Sequence, residues 1–268
     1  MDGGPLTMKR AVIGLSGGMD STGLLLKLLA DGYSVSCLSF NYGQKHVIEI
    51  ELAQKNIQYL TKMRHQLNHK IIDLTSLVAL FHSALTSGEI EVPEGHYEEN
   101  QMKQTVVPNR NAIFSSILYG WALSISAKEN CEVVVALGVH SGDHAIYPDC
   151  RPEFYDAIEM AHNIGNWGSE RISYYLPYLQ GNKKTILLES LDSCHKLSLD
   201  FDRIFANTIT SYSPDSDGRS SGKTGSDIER ILAFNDVGRK DPIVYINDWS
   251  HVLQHALTVE KEYQEIIK

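Results

Sequence analysis

The sequence predicts an α/β fold: a Rossmann-like, doubly wound parallel sheet followed by a mostly helical C-terminal extension. Three observations lead there. Short apolar runs of strand length alternate with helical patterns through most of the chain, which favours parallel strands covered by helices on both faces. A glycine turn, Ser16-Gly17-Gly18-Met19-Asp20-Ser21, joins the first apolar run to the first helical one. A second segment dense in polar chemistry follows the most apolar run, residues 132–139. In parallel sheets ligands collect at the carboxyl ends of strands, where both segments would lie.

Taken in order, residues 10–15 read as a buried strand and 22–29, rich in leucine, as a helix. Gly17 and Gly18 lack Cβ atoms, so a phosphate can approach the backbone between them. The following helix points free N–H groups and the positive end of its dipole at the same place. Ser16, Ser21 and Thr22 add hydroxyls. Asp20 makes sense beside a phosphate if a divalent cation bridges the two. The spacing is neither the dinucleotide fingerprint nor a Walker loop.

Residues 35–40 read as a second strand and 48–60 as a helix, with Ile48, Leu52, Ile57 and Leu60 able to share a face. A short third strand is expected at 70–74. Residues 87–105 are acidic and turn-rich, which suits a loop or lid. Pro108 then stops the chain, and Asn111 is expected to cap a helix running to Ser126. Arg110 beside it suits a phosphate or carboxylate.

The run 132–139 feeds His140, Asp143, His144, Tyr147, Asp149, Cys150 and Arg151. A zinc site from His140, His144 and Cys150 matches no standard spacing. A nucleophilic Cys150 has no acyl-transfer context. A polar wall reading a planar heterocycle is the favoured reading: an aspartate can accept two N–H donors from a guanine-like edge, and an arginine can fork a carboxylate. A helix at 154–164, a strand at 171–177 and a helix at 185–191 follow, with Lys183 at the entrance of the last. Residues 218–224 imitate a Walker loop with one spacer too few, inside a serine- and glycine-rich loop at 211–226. Helices at 227–234 and 252–267 end the chain.

The bulk composition bounds the function. The 268 residues can bury a full core, and the net charge of −9 argues against a nucleic-acid backbone as main partner. No apolar run reaches membrane-span length. The start lacks a signal-peptide layout, and four scattered cysteines form no disulfide framework, so a cytoplasmic setting is expected.

The loop at 16–22 resembles the pyrophosphate loop of the ATP pyrophosphatases, the PP-loop superfamily. With the blocks 40–46, 107–111, 138–139, Asp143, 147–154, Pro177 and Lys183, and Arg230 through Tyr245, the sequence resembles the 7-cyano-7-deazaguanine synthases, the QueC family. The resemblance implies an adenine-nucleotide α-hydrolase-like domain over 1–205 and an extension over 206–268. It implies ATP and Mg²⁺, with ATP held by Leu15, Ser16, Gly17, Gly18, Met19, Asp20, Ser21, Thr22, Gly138 and Lys183, and the metal by Asp20. It implies 7-carboxy-7-deazaguanine as substrate, against Tyr42, Gln44, His46, Arg110, Asn111, Asp143, Tyr147, Asp149 and Arg151. Asp20, Lys183 and Arg151 are the expected catalytic residues, and a homodimer is expected.

The departures sit in the tail. The family's four zinc cysteines correspond here to Ser211, Ser221, Thr224 and Asp227. Hydroxyls and one carboxylate suit zinc poorly, so no zinc site is expected. Zinc-less relatives occur in anti-phage operons of the type IV cyclic-oligonucleotide kind. The resemblance therefore leads to an antiviral ligase, which adenylates the acid and passes it to an amine such as a partner protein's N-terminus. The alternatives are an ammonia-using nitrile synthase for queuosine biosynthesis and a non-catalytic adenine-nucleotide sensor.

Overall fold

The computed structural model describes residues 9–43, 48–81, 106–140, 147–211, 215 and 217–266. Its centre is a five-stranded, wholly parallel sheet in the order β3-β2-β1-β4-β5. The strands are β1 (Arg10–Gly14), β2 (Ser34–Asn41), β3 (Leu67–Asp73), β4 (Val133–Ala136) and β5 (Ile172–Tyr175). The helices are α1 (Met19–Ala30), α2 (Ile48–Lys62), α3 (Thr75–Val78), α4 (Arg110–Glu129), α5 (Pro152–Gly165), α6 (Lys183–Leu197), α7 (Phe201–Ala206), α8 (Gly225–Asp236) and α9 (Trp249–Ile266).

Alternation along the strands fills both faces, as period-two side chains must. Ala11 and Ile13 of β1 and Val35 and Cys37 of β2 join a core with α1, α6, α7 and the end of α8. Val12, Leu38, Phe40, Val133 and Val135 join a second core under α4. Strand order reverses beside β1, between β2 and β4, which opens a crevice at the carboxyl ends.

Several expected boundaries move. Strand β4 is shorter than 132–139 because the chain beyond Ala136 turns over the start of α1: a Cβ on Gly138 would lie 3.1 Å from the Asp20 carbonyl oxygen. Asn111 does not cap α4. Asn109 occupies the N-cap position, in the left-handed region at φ 58° and without a side-chain capping bond, and the Asn111 amide turns to the Cys150 sulfur at 3.5 Å. Helix α6 begins at Lys183, two residues early, on an Asn182–Thr185 capping box. Helices α3 and α7 were not expected. The acidic stretch 87–105 lies outside the described residues.

Helices α1 and α6 pack closely at Gly23, where a Cβ would stand 2.6 Å from Ile186 Cγ2 and 2.7 Å from Ser190 Oγ. Residues after 205 are woven into the same body. Ile209 N donates to Gly17 O at 3.1 Å, and Phe234 is buried in the main core. Helices α8 and α9 share a smaller core of Ile228, Ile231, Tyr245, Val252 and Ala256.

Candidate active site

The turn after β1 is built by glycine geometry. Gly17 takes φ +89°, and a Cβ there would run into the carbonyl of Glu49. Ser16 and Ser21 brace the turn: their hydroxyls lie 3.0 Å apart, Ser16 N donates to Ser21 Oγ and Gly18 N to Ser16 Oγ, both at 3.2 Å. Gly18 is the N-cap of α1 and supplies no side-chain cap, so the helix start keeps N–H groups for an anion.

Asp20, in the first turn of α1, meets Lys183 from the far side of the sheet order. Lys183 Nζ donates to Asp20 Oδ2 at 2.9 Å, to His140 Nε2 at 3.0 Å, and approaches Glu229 Oε2 at 3.2 Å. Lys183 is 4% exposed and His140 fully buried. An ammonium can only donate, so His140 accepts at Nε2 and carries its hydrogen on Nδ1, 3.9 Å from Glu229 Oε1. Burial pushes the Asp20 carboxyl up, but the Lys183 ammonium and the more distant Arg230 outweigh it and hold it below the usual carboxylate value. The other oxygen, Asp20 Oδ1, is buried and has no hydrogen-bond partner among the described residues.

From this cluster a cleft of about 280 Å³ runs along the carboxyl ends of β1, β2 and β4. One wall is aromatic. Phe40 and Phe114 stack with centroids 4.0 Å apart, Tyr42 tilts against Phe114, and the Arg110 guanidinium lies 5.9 Å from the Tyr42 ring centre. Tyr147, Cys150, Asn111 and Val139 close the other side. An anion cradle, a cation beside it and an aromatic slot together fit a nucleotide and a flat second ligand.

Residues 10–238 match the family described as "Queuosine biosynthesis protein QueC". The chain is also 41% identical over 239 residues to the 7-cyano-7-deazaguanine synthase of Marinomonas sp. (strain MWYL1), covering 88% of this chain and 98% of the relative. The chain belongs to the QueC family. Against the enzyme of the same description from Methanoregula boonei it is 42% identical over 236 residues, covering 88% and 99%. A solved structure, the NMN synthetase from Francisella tularensis, is 14% identical with a TM-score of 0.39, covering 98% of this chain and 88% of that one. As a QueC-type protein the chain is an ATP-dependent, C–N bond-forming ligase.

Most residues that the QueC resemblance singled out gather in one place. Leu15, Ser16, Gly18, Met19, Asp20, Ser21, Gly138 and Lys183 line the cleft, as do Tyr42, Arg110, Asn111 and Tyr147. Gly17 shapes the turn from behind, and Thr22 is buried beneath it. Arg151 is not brought in. It is exposed at the N-cap of α5, where its carbonyl accepts from Phe154 N at 3.1 Å. Asp149 is half-buried on the single turn at Pro148–Cys150 and does not line the cleft. Gln44, His46 and Asp143 lie outside the described residues.

Of the four positions read as replacing the family's cysteines, Ser211, Thr224 and Asp227 take part in one hydrogen-bonded node. Asp227 is fully buried and accepts from Ser211 at 3.0 Å, Ser220 at 2.6 Å and Thr224 at 2.8 Å. The node's further member is Ser220; Ser221, half-buried before the Gly222 turn at φ +75°, accepts from Lys223 N at 3.2 Å. Next to the node, the fully buried Arg230 forks Asp241 at 2.6 and 2.9 Å and donates to Thr208 and Thr210. Tyr245 donates to the same Asp241 at 2.8 Å. Glu229 lies between the two anchors and escaped notice in the sequence, where it is one acid in an ordinary amphipathic helix.

Proposed function

We propose that this chain makes 7-cyano-7-deazaguanine from 7-carboxy-7-deazaguanine, ATP and ammonia. The observation that carries the reading is Lys183 set against Asp20 and the glycine turn, at the head of an aromatic cleft, in a chain of this family. A carboxylate is a poor electrophile. Attack of its oxygen on the α-phosphorus of ATP expels pyrophosphate and leaves a mixed anhydride with AMP as leaving group. Ammonia displaces AMP to give the amide. The amide oxygen then attacks the α-phosphorus of a second ATP, expelling pyrophosphate and a proton, and loss of AMP with the remaining N–H proton leaves the nitrile.

No protein nucleophile is needed, so the chain contributes position and charge. The N–H groups of the turn receive the departing pyrophosphate, and Lys183 neutralises charge developing beside it. The aromatic wall of Phe40, Tyr42 and Phe114 takes the flat base, and Arg110 is placed to meet its carboxylate. Magnesium suits Asp20, whose Oδ1 is buried without a hydrogen-bond partner among the described residues; bound there it would offset phosphate charge.

The hydrogen-bonded node at Asp227 supports the ammonia reading, since it offers a structural reason for the missing cysteines. Neither the relatives nor the site gives support to a protein acceptor or an antiviral role. The homodimer remains part of the proposal and is measured by sedimentation equilibrium. The deciding assay supplies the acid, Mg-ATP and ammonium as the sole amine. Chromatography is expected to show amide and then nitrile, with AMP released. AMP with no nitrile would overturn the reading; an acyl adduct on a partner protein, by intact mass, would replace it with conjugation.

A further inference from the structure

We infer that Glu229 is a positioning residue for the adenylation step, acting through Lys183 together with His140. The inference rests on the ATP chemistry proposed above. Lys183 occupies the first position of α6 and is almost wholly buried. Both features oppose an ammonium: the helix start is the positive end of its dipole, and desolvation penalises the charge. A lysine is kept charged there only by what surrounds it.

Asp20 alone would form a one-to-one pair, in which the lysine follows whichever way that carboxylate turns. The structure instead surrounds the ammonium with partners on three different elements: it hydrogen-bonds Asp20 and His140 and forms an ion pair with Glu229 Oε2 at 3.2 Å. Asp20 comes from α1, His140 from the segment after β4, and Glu229 from α8. Three directions fix a point, where one does not.

Glu229 is itself held by its neighbours in sequence. Two residues before it, Asp227 locks the first turn of α8 to Ser211, Ser220 and Thr224. One residue after it, Arg230 locks the next turn to Asp241. The only acid between these anchors is thus delivered to Lys183 from a rigid base, as preorganisation requires.

The test compares wild type, Glu229→Leu, Glu229→Asp and Glu229→Gln by exchange of labelled pyrophosphate into ATP, dependent on the deazaguanine acid. Glu229→Leu is expected to lower kcat about 100-fold, with KM for the acid within about 2-fold. Glu229→Asp keeps the charge but withdraws it by one methylene, and is expected to lose about 10-fold. Glu229→Gln keeps an accepting oxygen at full reach and is expected to restore kcat to within about 5-fold of wild type. If Glu229→Leu does not fold, the Asp and Gln variants carry the comparison alone. Wild-type kcat in Glu229→Asp, or equal losses in Asp and Gln variants, overturns the positioning role. Absence of exchange in wild type instead overturns the ATP reading.

Discussion

Two aspartates stand in the first turns of two helices, Asp20 half-buried and Asp227 fully buried, and have opposite characters. Asp20 on α1 faces an ammonium and keeps one oxygen without a hydrogen-bond partner among the described residues. Asp227 on α8 faces three hydroxyls and a backbone N–H, and both its oxygens are occupied. The charges around Asp20 outweigh burial and hold its carboxyl low. At Asp227 burial dominates over the same kind of hydrogen bonding, and its carboxyl is pushed up. The difference separates a place built to receive something from a place built to be finished. Only the first has an atom left over among the described residues.

The largest test of that contrast is at the open site. Lys183→Met is expected to cut pyrophosphate exchange about 10²- to 10³-fold, because charge neutralisation at the turn is lost. Loss below 3-fold in folded protein would mean that the cluster is structural, like the node.

The closed site should answer in stability instead. Ser220→Ala removes the shortest bond to a buried carboxylate and is expected to cost about 1.5 kcal/mol in urea unfolding. Ser221→Ala, one residue away and outside the node, should stay within about 0.5 kcal/mol. Reversal of the two would show that the family's cysteine register, rather than the turn at Gly222, decides the node.

The finest test is the sign of the pH response. A carboxyl raised in the folded state favours folding below its unfolded value, and that contribution is lost as pH rises through the folded value. For Asp227, stability relative to Asp227→Asn should therefore improve as pH falls through its raised value. Asp20 has the opposite sign: its contribution is present above the ordinary carboxylate value and is lost as pH falls through its lowered one. Unfolding measured between mildly acidic and neutral pH reads the Asp227 slope; a slope of the other sign would place a cation beside it.

Much of this was legible in the sequence, for local reasons. Strand β1, the two glycines and the leucines of α1 lie in one continuous stretch, and local geometry alone requires them. Lys183 was legible because a basic residue at a helix entrance near a phosphate loop has an electrostatic use. Glu229 and Ser220 were not. Each gains its role from a contact with residues distant in the chain, or from a turn whose handedness one glycine sets. Arg151 could not be placed from the sequence for the converse reason: Cys150 beside it lines the cleft, while Arg151 stands exposed where the chain turns into α5.

Gly23 gives the site a mechanical property that none of its own atoms holds. The reach between Asp20 and Lys183 spans 163 residues of chain, yet two helices touching at a missing methyl group help to set it. That contact works as a shim. A side chain placed there would wedge α1 from α6 and draw the two halves of the site apart, without altering any group that meets a ligand. The spacing of the ATP end can thus be tuned, by selection or by design, from a position that no substrate reaches.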